Sequence, residues 1–356
     1  MGYSVTGIMA HNIMGIPLAG SDICGFIGSY ESAEQCARWH TLGAFYPFSR
    51  NHNSWDTKAQ EPYIDDFNNN IYIGTTTYTA IMRQAIKTKY SMIRYYYTQL
   101  MKLHLEGGAF YKPVFYEFPN DQKAYDNQEE NIMLGEAVKL GIATQTNQNK
   151  TDVYYPAGRW CSVFINTFNS GCKNGGATIN SDSLAYQYNL DLREGYMIPL
   201  QDVRNTTFAT SVELQDMPVD FVVLGKDNST HYVANGEYIN DDGTSLDLDY
   251  NQYSLEYAGL KDGSALTFTV QVINPAAKTK INKNDYLGKI SIMDATKQGI
   301  NKDYTVTPKF LDSQTSDPVP AKYDATNDRL VLEVPVDQVD TWWIYNIASL
   351  DFAPAA

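Results

Sequence analysis

The chain has 356 residues, of which 43% are hydrophobic and 19% are charged, and it carries a formal net charge of −14. This length predicts two or three domains, and the acidic surface disfavours binding to the phosphate backbone of nucleic acids. Because no apolar run approaches the ~20 residues that cross a bilayer, the sequence predicts no transmembrane segment.

The first third of the chain alternates between predicted helices and predicted buried strands. Hydrophobic periodicity predicts a helix over residues 3–14 and a long helix over 76–106. Apolar runs predict buried strands over 16–22 and 44–49, and a segment with several small residues predicts a helix over 31–43. Gly107 and Gly108 end the long helix, as glycine commonly does. Buried strands that alternate with helices predict a parallel sheet or a (β/α) barrel.

After Gly108 the pattern changes to short alternating segments separated by Asn, Asp, Gly and Pro, which is typical of an all-β region. The segments are residues 111–118, 152–155, 190–200 and 211–224, and we expect two β-sandwiches with a break near residues 204–208. Asp241, Asp242 and Gly243 predict a hairpin turn. Calcium binding by the two carboxylates is the alternative, but the turn accounts for them, and we predict no metal site.

Two predicted strands end in polar side chains that can meet in one pocket. Asp22 ends the first strand, and Arg50 and His52 follow the second. Active sites of parallel α/β barrels lie at the carboxyl ends of the strands, so a carboxylate, a guanidinium and an imidazole would converge there. These groups can hydrogen-bond a polyhydroxylated ligand, with a stacking face supplied by Phe26, Trp39 or Trp55. The alternative is that Asp22 and Arg50 form only a structural ion pair.

Cysteines and sequons favour an oxidising compartment. The four cysteines fall into two local pairs without C-x-x-C spacing, so disulfides are favoured over free thiols if the protein is secreted. The pairs are Cys24 with Cys36 and Cys161 with Cys172, and N-x-S/T sequons make candidate glycosylation sites of Asn149, Asn205 and Asn228. The N-terminus has no signal-peptide pattern, so we expect either a cytosolic protein or a true start upstream.

Several segments resemble the motifs of one enzyme family. Residues 15–26 read G-I-P-L-A-G-S-D-I-C-G-F and resemble the G-I-P-x-x-G-[AS]-D-I-C-G-F segment of glycoside hydrolase family 31, the α-glucosidase-like enzymes. Residues 38–53 read R-W-H-T-L-G-A-F-Y-P-F-S-R-N-H-N and resemble that family's R-W-x-x-L-G-A-F-Y-P-F-x-R-N-H-N. Residues 60–63 and 112–121 are similar to further family segments, whereas Arg193-Glu194-Gly195 stands where the family usually has R-G-G.

The resemblance implies a fold that is α/β at the start and all-β afterwards. Residues 1–108 would be the last βα units of a (β/α)8 TIM barrel that continues into two β-sandwich domains. Residues 109–206 would form the proximal β-sandwich, and residues 207–356 would form the distal one.

The resemblance also implies roles for the residues at the two strand ends. Asp22 and His52 are similar to family residues that hydrogen-bond the terminal glucose. Arg50 is similar to the arginine that orders neighbouring acids, and Phe26 to a residue at the pocket mouth. Cys24 and Cys36 lie where many family members form a disulfide.

The two acids that a retaining glycosidase needs are not found in this sequence. Such enzymes place a nucleophilic carboxylate and an acid/base carboxyl ~5 Å apart. The family carries them in a W-x-D-M-N-E-like and a G-D-N-like segment, and neither segment occurs here. We therefore assign no catalytic nucleophile or acid, and the chemistry needs no metal or organic cofactor.

Two hypotheses of function remain. The first is the C-terminal portion of an α-glucosidase that hydrolyses O-glycosyl bonds in α-glucosides or oligosaccharides, in a lysosome, another endomembrane lumen or outside the cell. Because Met1 would fall inside a barrel, we expect a truncated chain that is inactive alone. The second is a non-catalytic β-sandwich protein that binds carbohydrate or a partner. The sequence does not indicate an oligomeric state.

Overall fold

The computed structural model describes residues 1–165, 170–244, 250–274 and 285–355, without the side chain of Asp340. The chain divides into two compact units. The first unit comprises Met1–Ser91 and Lys102–Asp191, and the second comprises Met92–Met101 and Leu192–Ala356.

The helices of the N-terminal region follow the predicted periodicity except at one break. The helices are Gly2–Ile13, Ala33–Gly43, Asp65–Asn68, Tyr78–Ser91 and Ile93–Glu106. The predicted helix over residues 76–106 is therefore two helices. Near the break, the Thr88 hydroxyl donates to the Gln84 carbonyl at 3.0 Å and the Ser91 hydroxyl to the Lys87 carbonyl at 2.9 Å. Such bonds compete with the helical ladder and often bend a helix.

The predicted buried strands over residues 16–22 and 44–49 are wrong in length and position. The strands here are Asp22–Ile23 and Arg50–Asn51, which pair in parallel, and Ile71–Ile73 and Thr76–Thr77, which pair antiparallel. Pro17 cannot donate to a ladder, and its neighbour Leu18 is exposed. Phe45 and Tyr46 are buried, but their N–H groups donate to the Leu42 and Gly43 carbonyls in turns that extend the preceding helix.

The rest of the first unit consists mainly of short strands in two sheets. The six-stranded sheet has the order Cys172–Asn174, Arg159–Ser162, Asn189–Arg193, Val138–Gly141, Asn131–Leu134 and Tyr111–Pro113, and a second sheet pairs Ala177–Asp182 with Lys150–Tyr155. The predicted strand over residues 111–118 ends at Pro113 and continues as the helix Val114–Glu117, after which a 3-10 helix spans Gln122–Tyr125. Met133 and Trp160 from the first sheet share a hydrophobic cluster with Val153 and Tyr155 from the second.

Within the described residues, the second unit is built on one sheet of eleven strands. In hydrogen-bonded order they are Tyr196–Leu200, Val219–Leu224, Leu287–Met293, Arg329–Glu333, Val319–Asp324, Tyr304–Phe310, Ile347–Pro354, Leu266–Asn274, Tyr250–Leu260, His231–Asp241 and Lys226–Asp227. A further pairing of Tyr196 with Asn235 joins the first strand to His231–Asp241 and closes the sheet on itself. Inside lies a large apolar core that includes Tyr238, Tyr253, Leu332 and Trp342.

Two sequence-based boundaries in this region differ from the observed elements. The expected strand over residues 190–200 is two strands separated by a turn at Gly195, which has a φ of 86°. Residues 211–224 comprise the helix Ser211–Gln215 and then the strand Val219–Leu224, because the Thr210 hydroxyl caps the helix by accepting from the Glu213 N–H. The strand Tyr196–Leu200 hydrogen-bonds within the large sheet of the second unit, although it precedes the domain boundary that we expected at residues 206/207.

The predicted hairpin at Asp241–Gly243 joins two long paired strands. Asp241 pairs with Tyr250 in an antiparallel ladder, while residues 245–249 lie outside the described part of the chain. The Asp241 carboxylate accepts from the Gly243 N–H at 2.8 Å, and the Asp242 carboxylate from the Thr244 N–H at 3.0 Å. Both carboxylates therefore hydrogen-bond to backbone N–H groups of the turn itself. The remaining 3-10 helices are Thr296–Gln298, Val339–Thr341 and Ile344–Asn346.

Across the described residues, no helix combines the length and apolar character that crossing a membrane requires.

Candidate functional site

Close packing of the backbone brings the two short strands of the first unit together. The Phe48 N–H donates to the Ala19 carbonyl at 3.1 Å, just before each strand. A Cβ atom at Gly20 would overlap the Phe48 carbonyl oxygen, so only glycine allows this approach. Downstream, Asp22 and Arg50 become register partners in a parallel pair.

Asp22 and Arg50 form an ion pair at the strand ends. The Arg50 Nε and one terminal nitrogen both donate to Asp22 Oδ1, at 3.0 and 2.8 Å. The arginine side chain is 51% exposed and the aspartate side chain 23% exposed. Within the described residues no hydrogen bond reaches Asp22 Oδ2. The ion pair therefore fixes the carboxylate and leaves one oxygen able to accept from a ligand.

Phe26 and His52 lie in the loops that follow the two strands. Their ring centroids are 5.3 Å apart with an interplanar angle of 34°, and both side chains are exposed. The Ser54 N–H donates to the Phe26 carbonyl at 2.9 Å, which ties the second loop to the first. Together with Asp22 and Arg50, these residues form a cluster with a carboxylate, a guanidinium, an imidazole and an aromatic face, which we call the Asp22 cluster.

The other aromatic candidates have different surroundings. Trp55 is 96% exposed, whereas Trp39 packs against a buried cluster that includes Cys36 and Phe67. Trp39 could stack against a ligand only after its side chain had left that cluster. Of the three aromatic residues that the sequence suggested, only Phe26 contacts another residue of the Asp22 cluster through a described ring contact.

Gln60 holds the two strands together and was missed by the sequence analysis as a site residue. Its side chain is 1% exposed, and Nε2 donates to the Ile23 carbonyl at 3.0 Å and to Asn51 Oδ1 at 2.9 Å. Longer contacts reach the carbonyls of Gly25 and His52, at 3.2 and 3.4 Å. One buried amide therefore links both loops of the Asp22 cluster. Residues 60–63 resemble a family segment, but that resemblance implies no role for Gln60.

A disulfide and a buried histidine lie next to the two short strands. Cys24 is bonded to Cys36, and the His40 Nδ1 donates to the Cys36 carbonyl at 2.9 Å. The His40 Nε2 lies 3.4 Å from Asn51 Nδ2. Burial lowers the pKa of His40 to about 4, so the ring is neutral near pH 7 and accepts from Asn51. His40 is therefore a support for the second strand.

The remaining predicted positions lie away from the Asp22 cluster in sequence. Cys161 and Cys172 form the second disulfide, as the pairing predicted. The three sequon asparagines, Asn149, Asn205 and Asn228, are all exposed. Exposure is required of a glycosylation acceptor, and use of these three sites stays a prediction.

Two family models match this chain over consecutive regions. Residues 1–99 match the model described as Glycosyl hydrolases family 31 TIM-barrel domain. Residues 107–198 match the model described as Glycosyl hydrolase family 31 C-terminal domain. The first match contains the whole Asp22 cluster.

Curated relatives and solved structures agree with the family models. The chain is 31% identical to mouse lysosomal alpha-glucosidase over 304 residues, which is 81% of this chain and 30% of the mouse protein. It is 34% identical to human probable maltase-glucoamylase 2 over 247 residues, which is 69% of this chain and 9% of the human protein. A solved structure of the glucosidase II alpha subunit matches with a TM-score of 0.76 and 22% identity, over 99% of this chain and 36% of that one.

The comparisons thus agree on the family while covering only part of each relative. The chain spans about 30% of the length of the lysosomal alpha-glucosidase and 36% of the glucosidase II alpha subunit. The glucosidase II match, at 22% identity, bears on the fold alone. With both family models matched in order, the chain belongs to glycosyl hydrolase family 31.

Proposed function

We propose that this chain supplies the sugar-binding part of an α-glucosidase-like retaining glycoside hydrolase, which hydrolyses O-glycosyl bonds in α-glucosides or oligosaccharides. The observation that carries this proposal is the Asp22 cluster, where Arg50 holds one carboxylate oxygen of Asp22 and the other has no described partner. The relatives named lysosomal alpha-glucosidase and maltase-glucoamylase 2 support the substrate class.

The chemistry of the Asp22 cluster suits a neutral sugar ring. The Asp22 carboxylate accepts from two adjacent hydroxyls, His52 exchanges a hydrogen bond with a third, and Phe26 covers an apolar face of the ring. An exposed ion pair such as Asp22–Arg50 stabilises a fold by only ~0–1 kcal/mol. Because this contribution is so small, the ion pair fits a role in orienting a ligand better than a role in stabilising the fold.

The reaction itself needs groups that we do not assign to this chain. In the retaining mechanism a carboxylate attacks C1 while an acid protonates the leaving oxygen, and a water deprotonated by that same acid residue then displaces the carboxylate. Neither family segment for these two acids occurs in the 356 residues. We propose that the chain alone binds sugar without turning it over.

We also propose a domain organisation and a compartment. Residues 1–108 would be βα units of a TIM barrel, and residues 109–206 and 207–356 proximal and distal β-sandwiches. The shared core of the two small sheets supports the first sandwich. The large sheet of the second unit, most of whose strands lie after residue 207, supports a distal β domain. Two disulfides and three exposed sequons support a lysosomal, endomembrane or secreted location.

Sugar binding can be tested with a site-specific NMR readout on the purified 356-residue chain. We expect methyl α-glucoside to shift the ring resonances of His52 with an affinity near ~1 mM, or about −4 kcal/mol. Asp22→Asn should weaken this binding at least tenfold, because the neutral amide has one acceptor oxygen and cannot pair with Arg50 through one oxygen while it accepts from the sugar through another.

The matched control is Asp126→Asn, which changes an exposed aspartate on another loop of the same unit. The control should leave the His52 shifts unchanged. Absence of any His52 shift in the unmodified chain would contradict the proposal, as would equal binding by Asp22→Asn. Hydrolysis of a nitrophenyl α-glucoside by the purified chain would contradict the proposal that the chain alone does not turn sugar over.

A further inference from the structure

The chain makes a tight turn directly after the strand Asp22–Ile23, and Cys24 adopts an unusual backbone conformation there. The Gly25 N–H donates to the Asp22 carbonyl at 3.0 Å, which closes the turn, and Cys24 has a φ of 74°. A turn with a positive φ at its third residue normally carries glycine or asparagine at that position, because a β-carbon is crowded in this conformation. Such a conformation persists in another residue only where the surrounding structure enforces it.

Cys24 differs from the other residues with a positive φ in how its side chain is held. Among the described residues, the other non-glycine residues with a positive φ are all Asn, Asp or Ser, whose short polar side chains can hydrogen-bond to nearby backbone. They are Asn127, Asn147, Ser229, Asp294, Ser313 and Asp328. The Cys24 side chain is instead bonded covalently to Cys36 and is 4% exposed. The disulfide therefore takes the place of a local hydrogen bond.

The other half of this disulfide lies on a well-packed helix. Cys36 is fully buried in the helix Ala33–Gly43, whose N-terminus is capped by the side chain of Ser32. Cys24 and Cys36 share a hydrophobic cluster with Phe67. Because the helix fixes the position of Cys36, the disulfide fixes the side chain of Cys24 and so restricts the backbone that carries it.

The bonds of Gln60 to the same turn leave this role to the disulfide. The Gln60 Nε2 donates to the carbonyls of Ile23 and Gly25, at 3.0 and 3.2 Å, one on each side of Cys24. These bonds hold the two ends of the turn but do not contact residue 24. A change of its φ to a negative value would redirect the chain between Ile23 and Phe26.

The direction of the chain at this turn decides where two members of the Asp22 cluster lie. Asp22 comes just before the turn, and Phe26, whose ring contacts His52, comes just after it. We propose that Cys24 is a positioning residue for sugar binding. Its disulfide holds the left-handed conformation that keeps the Phe26 ring beside His52 and next to the Asp22 carboxylate. This inference rests on the function proposed for the Asp22 cluster.

Two pairs of substitutions remove the disulfide but differ at residue 24. Cys24→Ala with Cys36→Ala leaves a β-carbon in the turn, and it should weaken the affinity for methyl α-glucoside, followed through the His52 resonances, at least tenfold. Cys24→Gly with Cys36→Ala removes the same cross-link, but glycine adopts a positive φ freely, so it should rescue the affinity to within threefold of wild type. Equal affinity in the two pairs overturns the proposal, because a cross-link that only stabilises the fold would not favour glycine.

Reduction gives a second measurement that does not depend on the folding of the alanine pair. Excess dithiothreitol should weaken sugar binding by the wild-type chain at least tenfold. The glycine pair keeps only Cys161 and Cys172, so its affinity should not change on reduction. An equal response of the two chains to dithiothreitol overturns the proposal.

The nuclear Overhauser effect between the Phe26 and His52 rings reports on the turn without any sugar. It should be present in wild type and in the glycine pair and disappear in the alanine pair or on reduction of wild type. Its persistence in reduced wild type overturns the proposal. If wild type binds no sugar but the ring contact follows this pattern, the proposed function fails while the role of Cys24 in holding the turn stands.

Discussion

At the scale of single residues, the least expected feature is a fully buried lysine in the first unit. Lys139 is 0% exposed, and its amine donates to Asn131 Oδ1 and to the Leu140 carbonyl, both at 2.9 Å. Burial lowers the pKa of Lys139 to about 7, and the negative charge of Asp191 offsets part of that effect. No sequence pattern indicates this burial, because it depends on pairing between strands that are distant along the chain.

This lysine should make stability depend on pH above neutrality. The folded pKa of about 7 lies below the unfolded value of about 10.4, so between them the unfolded chain binds one more proton. The contribution of Lys139 to the free energy of unfolding should therefore rise with pH by up to about 1.4 kcal/mol per pH unit from pH 7 to pH 10 and show no such slope below pH 7. Urea unfolding at pH 7.5, 8.5 and 9.5 measures the slope.

The contribution of Lys139 is isolated by comparing variants. Lys139→Met should remove the part of this slope that Lys139 contributes, while filling the same space with an apolar chain. Burial also lowers the pKa of Lys89 to about 7, and the slope that Lys89 contributes should remain. Lys123→Met, at an exposed position of the same unit, should keep it. If the free energy of unfolding changed with pH by the same amount in wild type and in Lys139→Met, Lys139 would have to be charged in the folded protein at neutral pH.

At the scale of elements, the Asp22 cluster depends on two strands of two residues each. So short a pair has few ladder bonds of its own, and the Gln60 amide supplies links to Ile23 and Asn51. We expect Gln60→Leu to leave these acceptors unsatisfied in the interior, at a cost of about 1–3 kcal/mol each in the free energy of unfolding. Because the loops lose their common anchor, the affinity for methyl α-glucoside should also fall at least tenfold.

The measurement combines thermal unfolding with the His52 resonances used for sugar binding. Gln60→Glu keeps the shape and an acceptor but loses the amide donors, so it should weaken binding as Gln60→Leu does. Gln145→Leu, at an exposed position, should change neither quantity. If Gln60→Leu lowered stability but bound sugar with the wild-type affinity, Gln60 would stabilise the fold without positioning the Asp22 cluster.

The sequence predicted elements well where local periodicity decides them. The helix Gly2–Ile13 is predicted because apolar residues recur along one face. The helix Ala33–Gly43 is predicted from its small residues, and Ser32 caps it by accepting from the Gln35 N–H at 3.1 Å. The strand predicted over residues 16–22 is wrong although its residues are mostly apolar. Pro17 cannot donate to a ladder, and Gly20 packs closely against the Phe48 carbonyl. The pocket residues were placed by family motifs, whereas Gln60 and His40 act through contacts that no spacing reveals.

At the scale of the whole molecule, each compact unit has its own apolar clusters. The first contains a cluster around Val153 and Trp160, and the second a larger one around Leu332 and Trp342. The closed sheet was not predictable because strands distant in sequence pair within it, such as Val219–Leu224 with Leu287–Met293. Periodicity identifies a strand but not its partner.

Separate cores predict that a cavity in one unit weakens mainly that unit. Leu332→Ala removes a fully buried side chain and should lower the free energy of unfolding by about 2–5 kcal/mol. In native-state hydrogen exchange, protection should fall in the strands of the second unit and persist in Asn131–Leu134 and Lys150–Tyr155. Val153→Ala, the counterpart in the first unit, should give the reverse pattern. Equal loss of protection in both units from either substitution would show instead that the chain opens as one cooperative structure.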